Sequence, residues 1–255
     1  MINVAVAGIG FMGKVHLSNY MKLENVSVAA LCDIRPEAME IKDLAGGGNI
    51  DAGGGSVDLS SVNKYTDFDR MIGEGGFDYV DICLPTFLHA KTSVKALNAG
   101  YHVFCEKPLC MSEQECDKIV NAVQKTGKHF GVGQCLRYWP AYAETKKLIH
   151  SGRFGKVLHA EFSRYSVAPV WSWDKWLVDS ERSGNAALDL HVHDVDMARF
   201  MFGEPASVKS SGVKAPDGGY PHITTLYNYG EMDVMTTGGW LCPESFGFNM
   251  KALVI

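Results

Sequence analysis

The chain has 255 residues, 46% apolar and 21% charged, with a formal net charge of −5. That composition fits a globular protein with a real core and room for one large domain or two modest ones. The mild negative charge and the lack of a dense Lys/Arg run exclude nucleic acid and anionic membrane as main partners.

No apolar run reaches bilayer length, and the opening residues MINVAVAG show no basic, cleavable leader pattern. The seven cysteines contain no CxxC pair, and several lie in apolar runs. They read as buried reduced thiols in a cytoplasmic protein.

In chain order, Ile2–Ala7 is a short apolar run predicted as a buried strand. The glycine-bearing turn GIGFMG and the helix-compatible KVHLSNYM follow it. Val26–Cys32, Tyr79–Leu84, His102–Cys105 and Phe130–Val132 are further predicted strands. Helical stretches separate them. The clearest is Ser112–Lys125, opened by a Ser112/Glu115 capping box and closed by Gly127. Such alternation predicts a parallel, doubly wound α/β sheet. Ala45–Ser56 holds six glycines in twelve residues and is expected to be a surface loop.

Gly8, Gly10 and Gly13, with Phe11 and Met12 among them, fit GxGxxG between a strand and a helix. Asp33 ends the second strand twenty residues later. The spacing predicts a dinucleotide-binding Rossmann turn. Gly8 would allow the tight turn, Gly10 the approach to a pyrophosphate and Gly13 close helix packing. Asp33 would accept hydrogen bonds from the adenine ribose and repel a 2′-phosphate, so NAD is favoured over NADP. Arg35 is the residue that could pair with such a phosphate.

The stretch DICLPTFLHAKTSVKALNAGYHVFCEKPL, with SGNAALDLHVHDVD further on, resembles the Gfo/Idh/MocA oxidoreductases. The marks are the glycine turn, Pro85-Thr86 with His89, Glu106-Lys107-Pro108, and the D-x-x-x-H of Asp189 and His193. The resemblance implies a Rossmann domain over 1–134, with Pro85, Thr86, His89 and Glu106 in its cofactor site. It implies a second, α+β domain over 135–255 with an open, mainly antiparallel sheet. Lys107 would be a catalytic lysine beside the nicotinamide.

The residues support that assignment. A lysine at the carboxyl end of a parallel strand faces the ligand crevice, and its ammonium can stabilise developing charge on oxygen. If Ala186–Phe202 is one helix, Asp189 and His193 share a face one turn apart, while His191 points away toward solvent or a domain boundary. The two histidines then cannot readily share a metal, and none is expected. His193 suits general-base work, with Asp189 orienting it or the substrate; Asp196 lies on the same face.

Arg137, Tyr138 and Trp176, near Trp139, Trp171 and Trp173, suit a sugar or polyol with apolar C–H faces and many hydroxyls. Arg164 and Tyr165 are weaker candidates of the same kind. The predicted function is NAD-dependent hydride transfer at a secondary hydroxyl of a sugar or polyol. A redox-neutral enzyme with tightly held NAD, or a non-catalytic NAD- or sugar-sensing protein, remains as an alternative.

From Lys156 the chain is strand-rich: KVLHAEFSRYSV, ASVKSSGVKA, HITTLYNYG, MDVMTTGGWL and FNMKALVI. The family resemblance makes this sheet appear shortened at Ile255. It also suggests a homo-oligomer formed through the sheet.

Overall fold

A computed structural model of the chain describes residues 1–41 and 58–255; the glycine-rich stretch Ala45–Ser56 lies outside them. Two compact units are present, Met1–Gly133 and Gln134–Ile255. Among the described residues no helix is long and apolar enough to cross a membrane.

The first unit runs β1 (Ile2–Ala7), α1 (Phe11–Tyr20), β2 (Val26–Cys32), β3 (Asn63–Tyr65), α2 (Phe68–Glu74), β4 (Tyr79–Ile82), α3 (His89–Asn98), β5 (His102–Cys105), α4 (Glu113–Thr126) and β6 (Phe130–Val132). All strand pairs are parallel, in the order β3-β2-β1-β4-β5-β6. β1 lies between β2 and β4, where the strand order reverses. Open sheets of this kind take ligands outside the carboxyl ends of the strands at that point.

Alternation along the strands builds the two cores. Ala5, Ala7, Val80 and Ile82 pack with Leu97 and Ile119 on one face. Val4, Val6 and Leu31 pack with Leu17 of α1 on the other.

α4 starts where its capping residues place it. Ser112 Oγ accepts the Glu115 N–H at 3.3 Å, but the Glu115 carboxylate accepts from Met111 at 2.9 Å, one residue earlier than a capping box requires. Gly127 ends the helix in the left-handed region, at φ 65°.

The second unit contains α5 (Pro140–His150), β7 (His159–Tyr165), α6 (Ser180–Ser183), α7 (Asn185–Asp189), α8 (Val192–Phe202), β8 (Ser207–Val213), β9 (His222–Asn228), β10 (Asp233–Gly239) and β11 (Asn249–Val254). Its sheet has the order β11-β7-β10-β9-β8. Only β7 and β10 pair in parallel; the other pairs are antiparallel. Met197, Ala198 and Met201 of α8 pack on Ala160, Phe162, Tyr227 and Val234 of the sheet. A buried ion pair adds a polar tie between them: Arg164 of β7 donates to both Asp194 oxygens, at 3.0 and 3.3 Å. Edge strand β8 is exposed along its whole length.

Candidate active site

The carboxyl end of β1 runs directly into the glycine turn. Gly8 sits at φ +92°, and a Cβ there would lie 2.6 Å from the Cys83 carbonyl oxygen after β4. A Cβ on Gly13 would lie 2.0 Å from the Gly8 carbonyl oxygen. These two glycines therefore set how closely α1 approaches the sheet. Gly10 differs, because a Cβ there meets no non-neighbouring atom of the described residues within 4 Å. It is the N-cap of α1 and makes no side-chain capping bond, and Phe11 and Met12 form the first turn. The open space and the uncapped helix start fit a phosphate group held by backbone N–H groups.

Asp33 is buried and borders this turn. Its Oδ2 accepts the Ile9 N–H at 2.8 Å, which ties the glycine turn to the end of β2. Arg35 grips the same carboxylate from the other side, with its guanidinium at 3.0 Å from each oxygen and its N–H at 2.9 Å. The arginine that could meet a ribose phosphate is thus paired with the aspartate that would repel one.

The next two marks lie after β4 and β5. Pro85 precedes the short helical turn Thr86–Leu88. Thr86 is fully buried, and its hydroxyl has no hydrogen-bond partner among the described residues. His89, expected in the cofactor site, is engaged by the protein itself. Its ring is 1% exposed, with both nitrogens 2.7 Å from carbonyl oxygens of Leu84 and Pro108. It staples the two turns together. Burial lowers its pKa, against those carbonyls and the nearby Glu106 charge.

Glu106 also points inward. One oxygen contacts His16 Nε2 at 3.1 Å, and the other accepts the Lys107 N–H at 2.9 Å. Burial opposes its charge, but His16 and Lys107 outweigh that and hold its carboxyl below the usual range. Lys107 itself is half-buried, just past β5.

In the second unit the expected single helix is broken. α7 ends at Asp189 and α8 begins at Val192. The His191 N–H reaches back five residues to the Ala186 carbonyl at 2.9 Å, and the next turns restart with three-residue spacing, Asp194 bonding to His191. The one-face argument for Asp189 and His193 therefore does not hold as drawn; both are half-buried.

His191 is turned inward, not to solvent. It is 2% exposed, and Nε2 lies 3.1 Å from the hydroxyls of both Thr225 and Thr236 on the sheet. Burial first, and His222 second, push its pKa down to about 4 from an ordinary 6.5. The unfolded chain therefore binds the extra proton first. Stability from the neutral ring is complete above pH 6.5 and is lost as the pH falls toward about 4. The slope from this one group is at most about 1.4 kcal/mol per pH unit. His191→Gln is expected to flatten the decline in urea midpoint over that window. An unchanged slope would show that another group causes it.

The substrate-side candidates are mostly committed elsewhere. Arg137 is bound to Asp196, with Nε 2.8 Å from Oδ2, and lies over the Phe200 ring. Its fork is thus not open to a sugar hydroxyl while that pair stands. Trp176 packs on the cluster of Leu177, Ala186, Leu190 and Trp240, so its ring is largely structural. Tyr138 is 84% exposed. Arg164 is consumed by its buried pair with Asp194.

The model of the oxidoreductase family with an NAD-binding Rossmann fold, GFO/IDH/MocA, matches residues 2–134. The GFO/IDH/MocA C-terminal domain matches residues 142–243. The chain belongs to this family. Within the family it is similar to a levoglucosan dehydrogenase of Pseudarthrobacter phenanthrenivorans, 30% identical over 82% of this chain and 53% of that protein. It is also similar to a 2,7-anhydro-N-acetylneuraminate hydratase of Mediterraneibacter gnavus, 34% identical over 58% of this chain and 39% of the relative. Its fold matches the crystal structure of myo-inositol 2-dehydrogenase from Lactobacillus plantarum with TM-score 0.82 and 22% identity, over 100% of this chain and 74% of that one. The chain spans 39% and 53% of the length of the hydratase and the levoglucosan dehydrogenase.

This GFO/IDH/MocA chain carries one group of polar residues that sequence reasoning missed. His16, Tyr20 and Asp81 join Glu106 under the glycine turn. A signal was available: Asp81 is a carboxylate inside the apolar strand YVDI, and a fully buried acid requires partners.

Proposed function

We propose that this family member is an NAD-dependent oxidoreductase acting on a secondary hydroxyl of a sugar, polyol or derivative. The observation that carries the reading is the glycine turn with its open space at Gly10, bordered by the buried Asp33 carboxylate. Those residues fit a dinucleotide, with its pyrophosphate at the start of α1 and its adenine ribose at Asp33. The bound nicotinamide supplies the acceptor for the carbinol hydrogen and its electron pair.

The chain's own groups handle the proton and the charge. His193 takes the hydroxyl proton at a ring nitrogen. Lys107 donates to the same oxygen and offsets its developing negative charge. Asp189 orients the substrate or the His193 ring. Association of copies through the second sheet, with its exposed edge strand β8, belongs to the same reading.

A titration with NADH and NADPH, read by tryptophan quenching and cofactor fluorescence, tests the cofactor claim. NADH should bind at least about tenfold more tightly, because a 2′-phosphate must separate Arg35 from Asp33 and face that carboxylate. Asp33→Asn should narrow or reverse the preference. Equal binding by the wild type would refute the role given to Asp33.

A second reading has one specific observation behind it, the 34% identity to a hydratase. It is a redox-neutral enzyme that retains its NAD and alters the sugar without net change of the cofactor. Cofactor co-purifying with the protein, and a changed sugar without NADH release, would favour it.

A further inference from the structure

Lys107 is held on both flanks by histidines from other elements. Behind it, Glu106 is gripped by His16 of α1; ahead of it, the Pro108 carbonyl lies against His89 of α3. The His16 side has the more unusual chemistry. Its Nδ1 is 2.8 Å from Asp81 Oδ2 and its Nε2 is 3.1 Å from Glu106 Oε1. A carboxylate can only accept, so both ring nitrogens must donate, and the ring between them is an imidazolium. Asp81 is fully buried and also accepts the Tyr20 hydroxyl at 2.8 Å. Glu106 uses its second oxygen on the Lys107 N–H.

The contacts form one chain: Tyr20, Asp81, His16, Glu106 and the Lys107 backbone. It joins α1, the helix that opens at the glycine turn, to the turn that carries the lysine. His16, Asp81 and Cys83 also bring ligand-type atoms within 4.8 Å of one another. Those atoms already satisfy each other, with Cys83 Sγ 3.2 Å from His16 Nδ1. Burial pushes the Cys83 thiol up to about 12.

We propose that His16 is a positioning residue for Lys107, acting through Glu106 to fix the backbone from which the lysine side chain extends. Its consequence for turnover rests on the function proposed above; the clamp itself does not.

The test compares wild type with His16→Ala. Lys107 is labelled with trinitrobenzenesulfonate, and its rate is mapped by mass spectrometry against exposed Lys118 of α4. Loosening the turn should raise Lys107 labelling about tenfold relative to Lys118, with NADH affinity within about threefold of wild type. In the wild type, nitrogen-15 NMR of the His16 ring should show both nitrogens protonated from about pH 6 to 8.

If His16→Ala does not fold, Glu106→Gln carries the test. It keeps the side-chain shape, removes the charge His16 faces, and should raise Lys107 labelling in the same direction. Unchanged labelling in the folded variant, or a neutral His16 ring, overturns the proposal. Faster labelling in a protein that binds no NADH would leave the clamp standing and remove the dehydrogenase reading instead.

Discussion

Lys107→Met is expected to lower turnover by a factor of about 10³ while leaving NADH affinity within about threefold. Methionine keeps much of the lysine's apolar stem and removes the charged donor. In the proposed reaction the alcohol oxygen develops alkoxide-like negative charge as its proton leaves, and that charge is drawn into the new C=O bond as the hydride departs. A donor aimed at that oxygen is worth more in the transition state than in the ground state, so its loss appears in kcat more than in KM. His193→Asn should cost a similar factor, and the double variant little more than either, because both residues serve one step. Steady-state kinetics beside a fluorescence titration check this. Parallel loss of turnover and NADH affinity in Lys107→Met would assign the lysine to cofactor binding or to the fold.

Gly13→Ala and Gly10→Ala should separate packing from ligand approach. The Gly13 methyl would sit 2.0 Å from the Gly8 carbonyl oxygen, so α1 must move off the turn. Overpacking of this kind costs about 1–3 kcal/mol, so both the melting temperature and NADH affinity should fall. The Gly10 methyl meets no non-neighbouring atom of the described residues within 4 Å, and the residue's φ of −83° is open to alanine. That variant should keep its melting temperature yet lose at least about tenfold in NADH affinity, because the methyl fills space the pyrophosphate needs. Full NADH affinity in folded Gly10→Ala would mean that the phosphate does not approach there.

Much of the first unit was legible because its signals are local. β1, the glycine turn, α1 and β2 up to Asp33 follow one another within 33 residues and carry strand periodicity, glycine spacing and a terminal acid. Ser112 and Gly127 mark α4 in the same way. β3 was not legible: three residues at a sheet edge carry no period. The helix around His191 was misread because a 3.6-residue wheel cannot anticipate a hydrogen bond that reaches back five residues. That shift helps bring His191 onto the threonines of the sheet.

Side-chain direction was the other loss. Glu106 and Arg137 have the chemistry of ligand-binding groups, but the side chains that engage them lie far off in sequence. Glu106 meets His16 across 90 residues, and Arg137 meets Asp196 across 59. No local pattern encodes such pairs. The family marks single out residues without saying which of them face a ligand and which hold the others in place.

The measurement that bears most directly on the central claim is incubation of the purified protein with NAD and a panel of cyclitols, aldoses and anhydrosugars, following NADH and sugar products together. The account predicts NADH formed in step with an oxidised sugar for at least one secondary alcohol, and its loss in both Lys107→Met and His193→Asn. NADH formation that survives Lys107→Met unchanged would contradict the assigned chemistry. A folded protein that binds NADH but changes neither cofactor nor sugar across the panel would contradict the enzyme itself.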